Sequence, residues 1–287
     1  MRFLFMKRLI CYILFICCCA FNTWAQTYDD FVEKSLNAIE ADSLLAAENY
    51  IRQAIEAEPD NPINAMLLSN LGTIQRRRQQ YEQALDSYTQ ALHITPNSIP
   101  ILLNRATVYL ELSKNGLAKQ DYSAVIALRP NHEEALLMRA YILMNQKNYE
   151  DAKKDYETLL QNNPLHFNAK LGLATLLQKM AHYDEAHIIL TGMITQALDE
   201  DNVDKRQLAM LYVARAGVEN DLKHVEQALL DLELAIKLDK NFSDAYLLRG
   251  QIYLALKRGS LAKKDFEQCV KLGIPMAEMR ELIRQCE

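Results

Sequence analysis

The chain has 287 residues, 50% apolar and 24% charged, with only 8 Gly and 7 Pro; this excludes a disordered or collagen-like chain and suits a long helical one. Lys and Arg number 32 against 37 Asp and Glu, a net charge of -5. That balance excludes a basic stripe of the kind that tracks nucleic acid, and the one basic run, Arg76-Arg77-Arg78, is too short to drive phosphate binding.

The first segment reads as an address. Arg2, Lys7 and Arg8 precede an apolar run, Leu9–Phe21, and Thr23-Trp24-Ala25 offers small residues three and one before a cut. This layout predicts a secretory signal peptide over 1–25, and the run is too short for an ordinary membrane span. Cleavage after Ala25 removes three positive charges and leaves a net charge of about -8, with no membrane span expected in what remains. A lipid anchor on Cys17, Cys18 or Cys19 is not expected, because Ile16 stands where a lipobox has a small residue. Cys269 and Cys286 remain after cleavage, either as thiols or bridged; two cysteines are not a disulfide framework.

From Tyr28 onward the chain repeats. Residues 101–132 and 135–166 align at an offset of 34, bringing Arg105 onto Arg139, Ala106 onto Ala140, Ala118 onto Ala152, Asp121 onto Asp155, Tyr122 onto Tyr156 and Pro130 onto Pro164. A period of 34 is that of a two-helix unit, and an array of such units escapes the size limit of a single core. Counting each unit from 1 to 34, repeats fall at 28–61 (degenerate), 65–98, 99–132, 133–166, 167–200, 209–242 and 243–274, with 201–208 an insertion and 275–287 a capping helix. Positions 8 and 20 are Gly, Ala or Ser in every unit, which lets two helices cross closely. Positions 4, 11, 24 and 28 form an apolar stripe. Asn or Gly near position 17 (Asn115-Gly116, Gly259-Ser260) is expected to break the chain between the helices. Pro at 32 ends the second helix where it occurs.

The second unit, with Leu68, Leu71-Gly72, Tyr81, Ala84, Tyr88, Ala91 and Pro96, resembles the tetratricopeptide repeat (TPR) family, and the resemblance extends over about Tyr28–Met276. The first unit departs from the pattern, and the last three lack the Pro at position 32. The resemblance implies an all-α, right-handed α-solenoid of about seven helix-turn-helix repeats closed by a C-terminal capping helix.

Position 7, usually apolar in that family, is Arg105, Arg139, Arg215 and Arg249 in repeats three, four, six and seven. Position 23 is Asp121, Asp155, Asp231 and Asp265 in those same repeats. In the other three both positions lack the pair, so structural ion pairs within each hairpin are expected. His93, His132, His166, His182, His187 and His224 show no metal-ligand spacing, and no HExxH, P-loop, GxSxG or Gly-rich phosphate loop is present. Neither enzyme activity, nor a metal, nor a cofactor is expected.

In TPR arrays the first helices line a groove. Here the resemblance assigns it Leu103, Thr107, Leu110, Leu137, Tyr141, Met144, Leu171 and Thr175, a neutral and apolar face; the family's Lys/Asn clamp for carboxylate tails is missing. The same position-5 aliphatics can instead pack between helices. The expected function is a non-enzymatic protein–protein interaction scaffold or adaptor of the cell envelope, periplasmic or outer-membrane associated, with a protein partner and no nucleic acid. The alternative is a solenoid recognising envelope glycan or peptide; against it, the single Trp lies in the leader.

Overall fold

The computed structural model describes residues 27–199 and 203–286; the signal peptide expected over 1–25 lies outside them. Among the described residues there are fifteen helices, paired as antiparallel hairpins, and no strand. They divide into two compact units, Met1–Ala135 and Leu136–Glu287. No described helix is long and apolar enough to cross a membrane.

The first unit holds α1 (27–40) with α2 (Leu44–Ala57), α3 (Asn64–Arg77) with α4 (Tyr81–Ile94), and α5 (Ile99–Glu111) with α6 (Asn115–Leu128). The second holds most of α7 (Glu133–Asn145) with α8 (Tyr149–Asn162), then α9 (Phe167–Lys179) with α10 (Tyr183–Leu198), α11 (Lys205–Asp221) with α12 (Val225–Leu238), and α13 (Ser243–Ala255) with α14 (Gly259–Lys271). Helix α15 (Met276–Arg284) follows. Each pair is one 34-residue repeat, first helix then second.

Why each repeat folds back is visible in the backbone. Position 15 has positive φ in all seven: Asp42, Gln79, Ser113, Lys147, Ala181, Lys223 and Lys257, at φ 56 to 68. The next residue's N–H then reaches back to the carbonyl of position 11, as in Gln80 to Gln75 at 2.8 Å, His182 to Leu177 at 2.9 Å and Arg258 to Tyr253 at 2.8 Å. This left-handed residue with a six-residue closure ends a helix by satisfying its last carbonyls. The break therefore lies two residues before the expected one. Asn115 and Gly259 instead open the following helices, because their side chains do not set the turn.

The small positions sit where the helices cross. Ala106, Ala140, Ala174 and Ala216 at position 8, and every Ala at position 20 from Ala47 to Ala262, are fully buried. Position 24 supplies the ring or aliphatic chain that lies over the crossing. A Cβ on Gly72 would stand 2.8 Å from Tyr88, and one on Gly250 2.7 Å from Phe266, so those rings use the space that the glycines leave.

Residues 201–208 are not all a loop. Helix α11 starts at Lys205, where the Asp204 carboxylate accepts from the N–H groups of Arg206 at 2.9 Å and Gln207 at 3.1 Å. An N-cap of this kind offsets the unmet donors of a first turn, and it extends α11 backward to 17 residues. At the other end α15 turns Met279 into a cluster with Ala262, Phe266 and Cys269, while Arg280, Glu281 and Arg284 stay exposed. Cys269 and Cys286 are thiols donating to the carbonyls of Ser243 and Leu282. Burial pushes the Cys269 thiol up to about 11.

Candidate functional site: helix faces and the pairs that hold them

Each hairpin with the Arg/Asp pattern carries a two-pronged bond. Arg105 Nε and Nη2 donate to Asp121 Oδ2 and Oδ1 at 2.8 and 2.7 Å, and Arg139 donates to Asp155 at 2.7 Å in both arms. The equivalents are Arg215 on Asp231 at 2.8 Å in both arms, and Arg249 on Asp265 at 2.9 and 2.8 Å. All four carboxylates are buried, and the bonds to them hold each arginine above its ordinary range.

The guanidinium has a third arm, and it reaches out of its own repeat. Arg105 Nη1 donates to Thr89 Oγ1 of the preceding second helix at 3.2 Å, and Arg215 Nη1 to Thr191 Oγ1 at 3.4 Å. Arg249, instead, feels the charge of Glu233 at that place. Tyrosine rings lie beside three of these arginines, Tyr109, Tyr212 and Tyr246, 5.6 to 5.8 Å from ring centre to guanidinium carbon. One side chain thus binds two neighbouring second helices through a first helix.

The basic run is spent internally as well. Arg76 grips Glu111 with both Nε and Nη2, Arg77 meets Asp42 at 2.7 Å, and Arg78 pairs with Glu48. His132 and His166 act as caps, their Nδ1 atoms accepting from the N–H of Ala135 at 3.4 Å and Ala169 at 3.2 Å.

The candidate groove residues are placed unequally. In the first unit, Leu103, Thr107 and Leu110 on α5 are half-buried. Thr107 is also occupied: its hydroxyl donates to the Leu103 carbonyl at 2.9 Å and bonds the Tyr122 phenol. Burial pushes that phenol up to about 12. In the second unit, Tyr141 on α7 is 50% exposed, whereas Leu137, Leu171 and Thr175 are half-buried. Thr175 donates to the Leu171 carbonyl at 2.9 Å. Met144 does not belong to this set. It is 7% exposed, following Ile142 and Leu143 into the core, as an unbranched thioether can where a polar side chain would stay outside.

The second unit holds one polar cluster that the periodic reading passed over. A cavity of about 780 Å³ is lined by His187, Thr191, Arg215, Glu219, Lys223 and His224, with the first turn of α12. The available signal was position 11: Gln75, Tyr109, Leu143, Leu177 and Tyr253 are neutral, and Glu219 is charged. Among the described residues no three His, Cys, Asp or Glu side chains are grouped to hold a metal.

With this geometry in place, likeness to known proteins adds the family. Tetratricopeptide-repeat models match residues 65–98, 103–152, 146–211 and 243–272. A solved tetratricopeptide repeat protein from Parabacteroides merdae is 32% identical, with a TM-score of 0.75 over 91% of this chain and 99% of that one. The chain belongs to the tetratricopeptide repeat family. The Cut9–Hcn1 assembly of the APC/C shares the fold at 11% identity and TM-score 0.61, over 89% of this chain and 55% of that one. The DnaJ homolog subfamily C member 7 is 34% identical in Mus musculus over 76 residues, 26% of this chain. Its homolog in Schizosaccharomyces pombe is 29% identical over 93 residues, 32% of this chain. The matched segments span only 15% and 20% of those relatives' lengths.

Proposed function

We propose that this protein is a non-enzymatic scaffold that holds a protein partner against the first-helix faces of its repeats. The carrying observation is a division of labour. The repeated charges are consumed within the chain, by Arg–Asp bonds inside four hairpins and by the pairs that Arg76, Arg77 and Arg78 make with neighbouring repeats in the first unit. In the second unit the first helices present Tyr141 and Gln251 to solvent. A rigid aromatic with a polar tip beside neutral side chains suits an extended or helical segment with apolar anchors. Membership of a family built for such binding supports the reading.

The leader supports an envelope location, and the envelope is where we place the partner. The test is recovery of partners from an envelope extract on wild type and on Tyr141→Ala/Gln251→Arg, with circular dichroism to check that both fold. Loss of a wild-type partner from the variant is the expected result; equal recovery by both would remove the groove. Sequencing the exported chain tests the location separately, with Gln26 expected as its first residue.

A further inference from the structure

Position 24 of the second helices lies over the hairpin crossing, and in three repeats it is a tyrosine: Tyr88, Tyr122 and Tyr156. In the first unit each phenol finds a hydroxyl at position 9 of its own first helix. Tyr88 Oη lies 3.0 Å from Thr73 Oγ1, and Tyr122 bonds Thr107. Repeat four breaks this rule. Its position 9 is Tyr141, 50% exposed, which carries its hydroxyl away from the helix at the end of a ring. Tyr156 is itself 2% exposed, and its hydroxyl makes no hydrogen bond among the described residues. The side-chain atoms sealed in the interior without a partner are Gln80 Oε1 and His187 Nδ1. Tyr156 Oη is not one of them: the ring is buried, and its oxygen opens at the surface.

Two neighbours fix where that oxygen stands. One is the bare backbone of Gly172 on α9: a Cβ there would be 2.7 Å from the end of the Tyr156 ring and from its hydroxyl. The other is Tyr141 on α7, close enough for its charge to act on the Tyr156 phenol. The hydroxyl therefore opens between two consecutive first helices. Burial, with Tyr141 and Asp155 nearby, pushes the phenol up to about 12, so it keeps its proton and stays a donor. A donor left unpaired in a buried ring costs free energy that an incoming acceptor recovers. The acceptor that fits is neutral. The one guanidinium of this repeat, Arg139, is committed to Asp155, and the Asp155 charge counts against an anion.

We propose that the Tyr156 hydroxyl reads a main-chain carbonyl of a partner segment lying across α7 and α9, with the Tyr141 ring covering the side chain beside that carbonyl. This rests on the groove reading above and names what the groove reads: an extended peptide. Such a segment arrives with its carbonyls unpaired. A helix arrives with them already bonded internally. Repeats two and three spend their phenols on an internal threonine; repeat four, with Tyr141 at that place, turns the same phenol outward. One donor held at a fixed depth selects one carbonyl and so sets the register of the bound segment.

The test uses the full chain and peptides selected on it from a random library. Tyr156→Phe removes one oxygen and keeps a ring that position 24 already accepts as Phe266. It is expected to leave Tm unchanged or slightly raised, since the lost hydroxyl has no internal partner, and to weaken peptide binding about tenfold. Tyr88→Phe, which gives up the Thr73 bond, is expected to lower Tm instead. Each carbonyl of a selected peptide is then replaced by a thiocarbonyl, a poorer acceptor. One replacement is expected to weaken binding to wild type and to leave binding to Tyr156→Phe unchanged. A fall in Tm of Tyr156→Phe as large as that of Tyr88→Phe would mean an internal bond and overturn the proposal. Equal affinity of wild type and Tyr156→Phe for a peptide that Tyr141→Ala loses would overturn the carbonyl contact and leave the groove standing. Peptides indifferent to both changes, or none selected at all, would remove both.

Discussion

Repeats five and six lie side by side in one unit and solve the same packing problem in opposite ways. Repeat six closes its hairpin with Arg215 on a fully buried Asp231. Repeat five has Leu173 and Ile189 at the equivalent positions. The apolar solution leaves an opening: a cavity of about 460 Å³ lies among Leu160, Pro164, Lys170, Leu173, Ile188, Ile189, Gly192 and Met193, and Ile188 is 69% exposed. A guanidinium bonded on three sides fixes direction as well as distance. Two aliphatic chains adhere without specifying which way either points. The polar pair sets register, and the fold does not require it in every repeat.

The strongest way to break the comparison is to unpair the charges. Asp231→Ala leaves Arg215 partly buried without its carboxylate, and loss of one partner of such a pair costs roughly 3–5 kcal/mol. Arg215→Leu/Asp231→Ile transplants the repeat-five solution and is expected to recover most of that loss in chemical denaturation. If the losses of Arg215→Leu and Asp231→Ile measured singly simply add in this double variant, the pair is not a coupled unit.

A smaller effect separates the glycines. Gly250→Ala drives a methyl to 2.7 Å from Phe266, whose ring is fully buried. Overpacking of this kind costs about 1–3 kcal/mol and outweighs the gain of up to ~1 kcal/mol from replacing a helical glycine. Gly192 in repeat five has nothing within 4 Å of its missing Cβ. Gly192→Ala is therefore expected to stabilise by up to ~1 kcal/mol, and thermal melts of the two variants should move in opposite directions. The thiols offer a kinetic check at the end of the array. Cys269 is fully buried and held as a thiol by its surroundings, so alkylation of the native protein should modify Cys286 first, and equal rates would contradict the packing described for α15.

How much of this could be read in the chain depends on whether a feature recurs with the period. The small residues at 8 and 20 and the co-occurrence of Arg105 with Asp121, and of Arg215 with Asp231, are legible because each repeat restates them. The reach of Arg215 to Thr191 is not, since its partner lies in the preceding repeat and is Thr, Glu or another residue in turn. Met144 shares position 12 with the half-buried Leu110, so the period alone does not reveal that its flexible chain is buried. The start of α11 at Lys205 is not legible in the period, which opens repeat six at 209 after an insertion, although Asp204 carries the signal of a cap. Glu219 and its histidines were missed because they come from three elements and occur once.

The turn is the plainest case of a feature that side chains do not announce. Position 15 is Asp, Gln, Ser, Lys, Ala, Lys and Lys along the array, yet every one takes the left-handed backbone. What selects it is the closure of the helix end and the packing of the hairpin behind it. A left-handed residue with a Cβ costs roughly 1–2 kcal/mol, against the ~0.5–1 kcal/mol that glycine loses in chain entropy. Ala181, at φ 62, has no side-chain polar group to offset its strain. Ala181→Gly is therefore expected to raise stability by up to about 1 kcal/mol, and Asp42→Gly by less, because a short polar side chain tolerates this region. Repeat five, without its ion pair, would then gain from its turn what it lacks across the hairpin. Denaturation of Ala181→Gly alongside Lys223→Gly in repeat six measures whether relief of strain is worth more where the hairpin is held by apolar contact alone. Equal gains in both repeats would mean that the turn and the pair act independently.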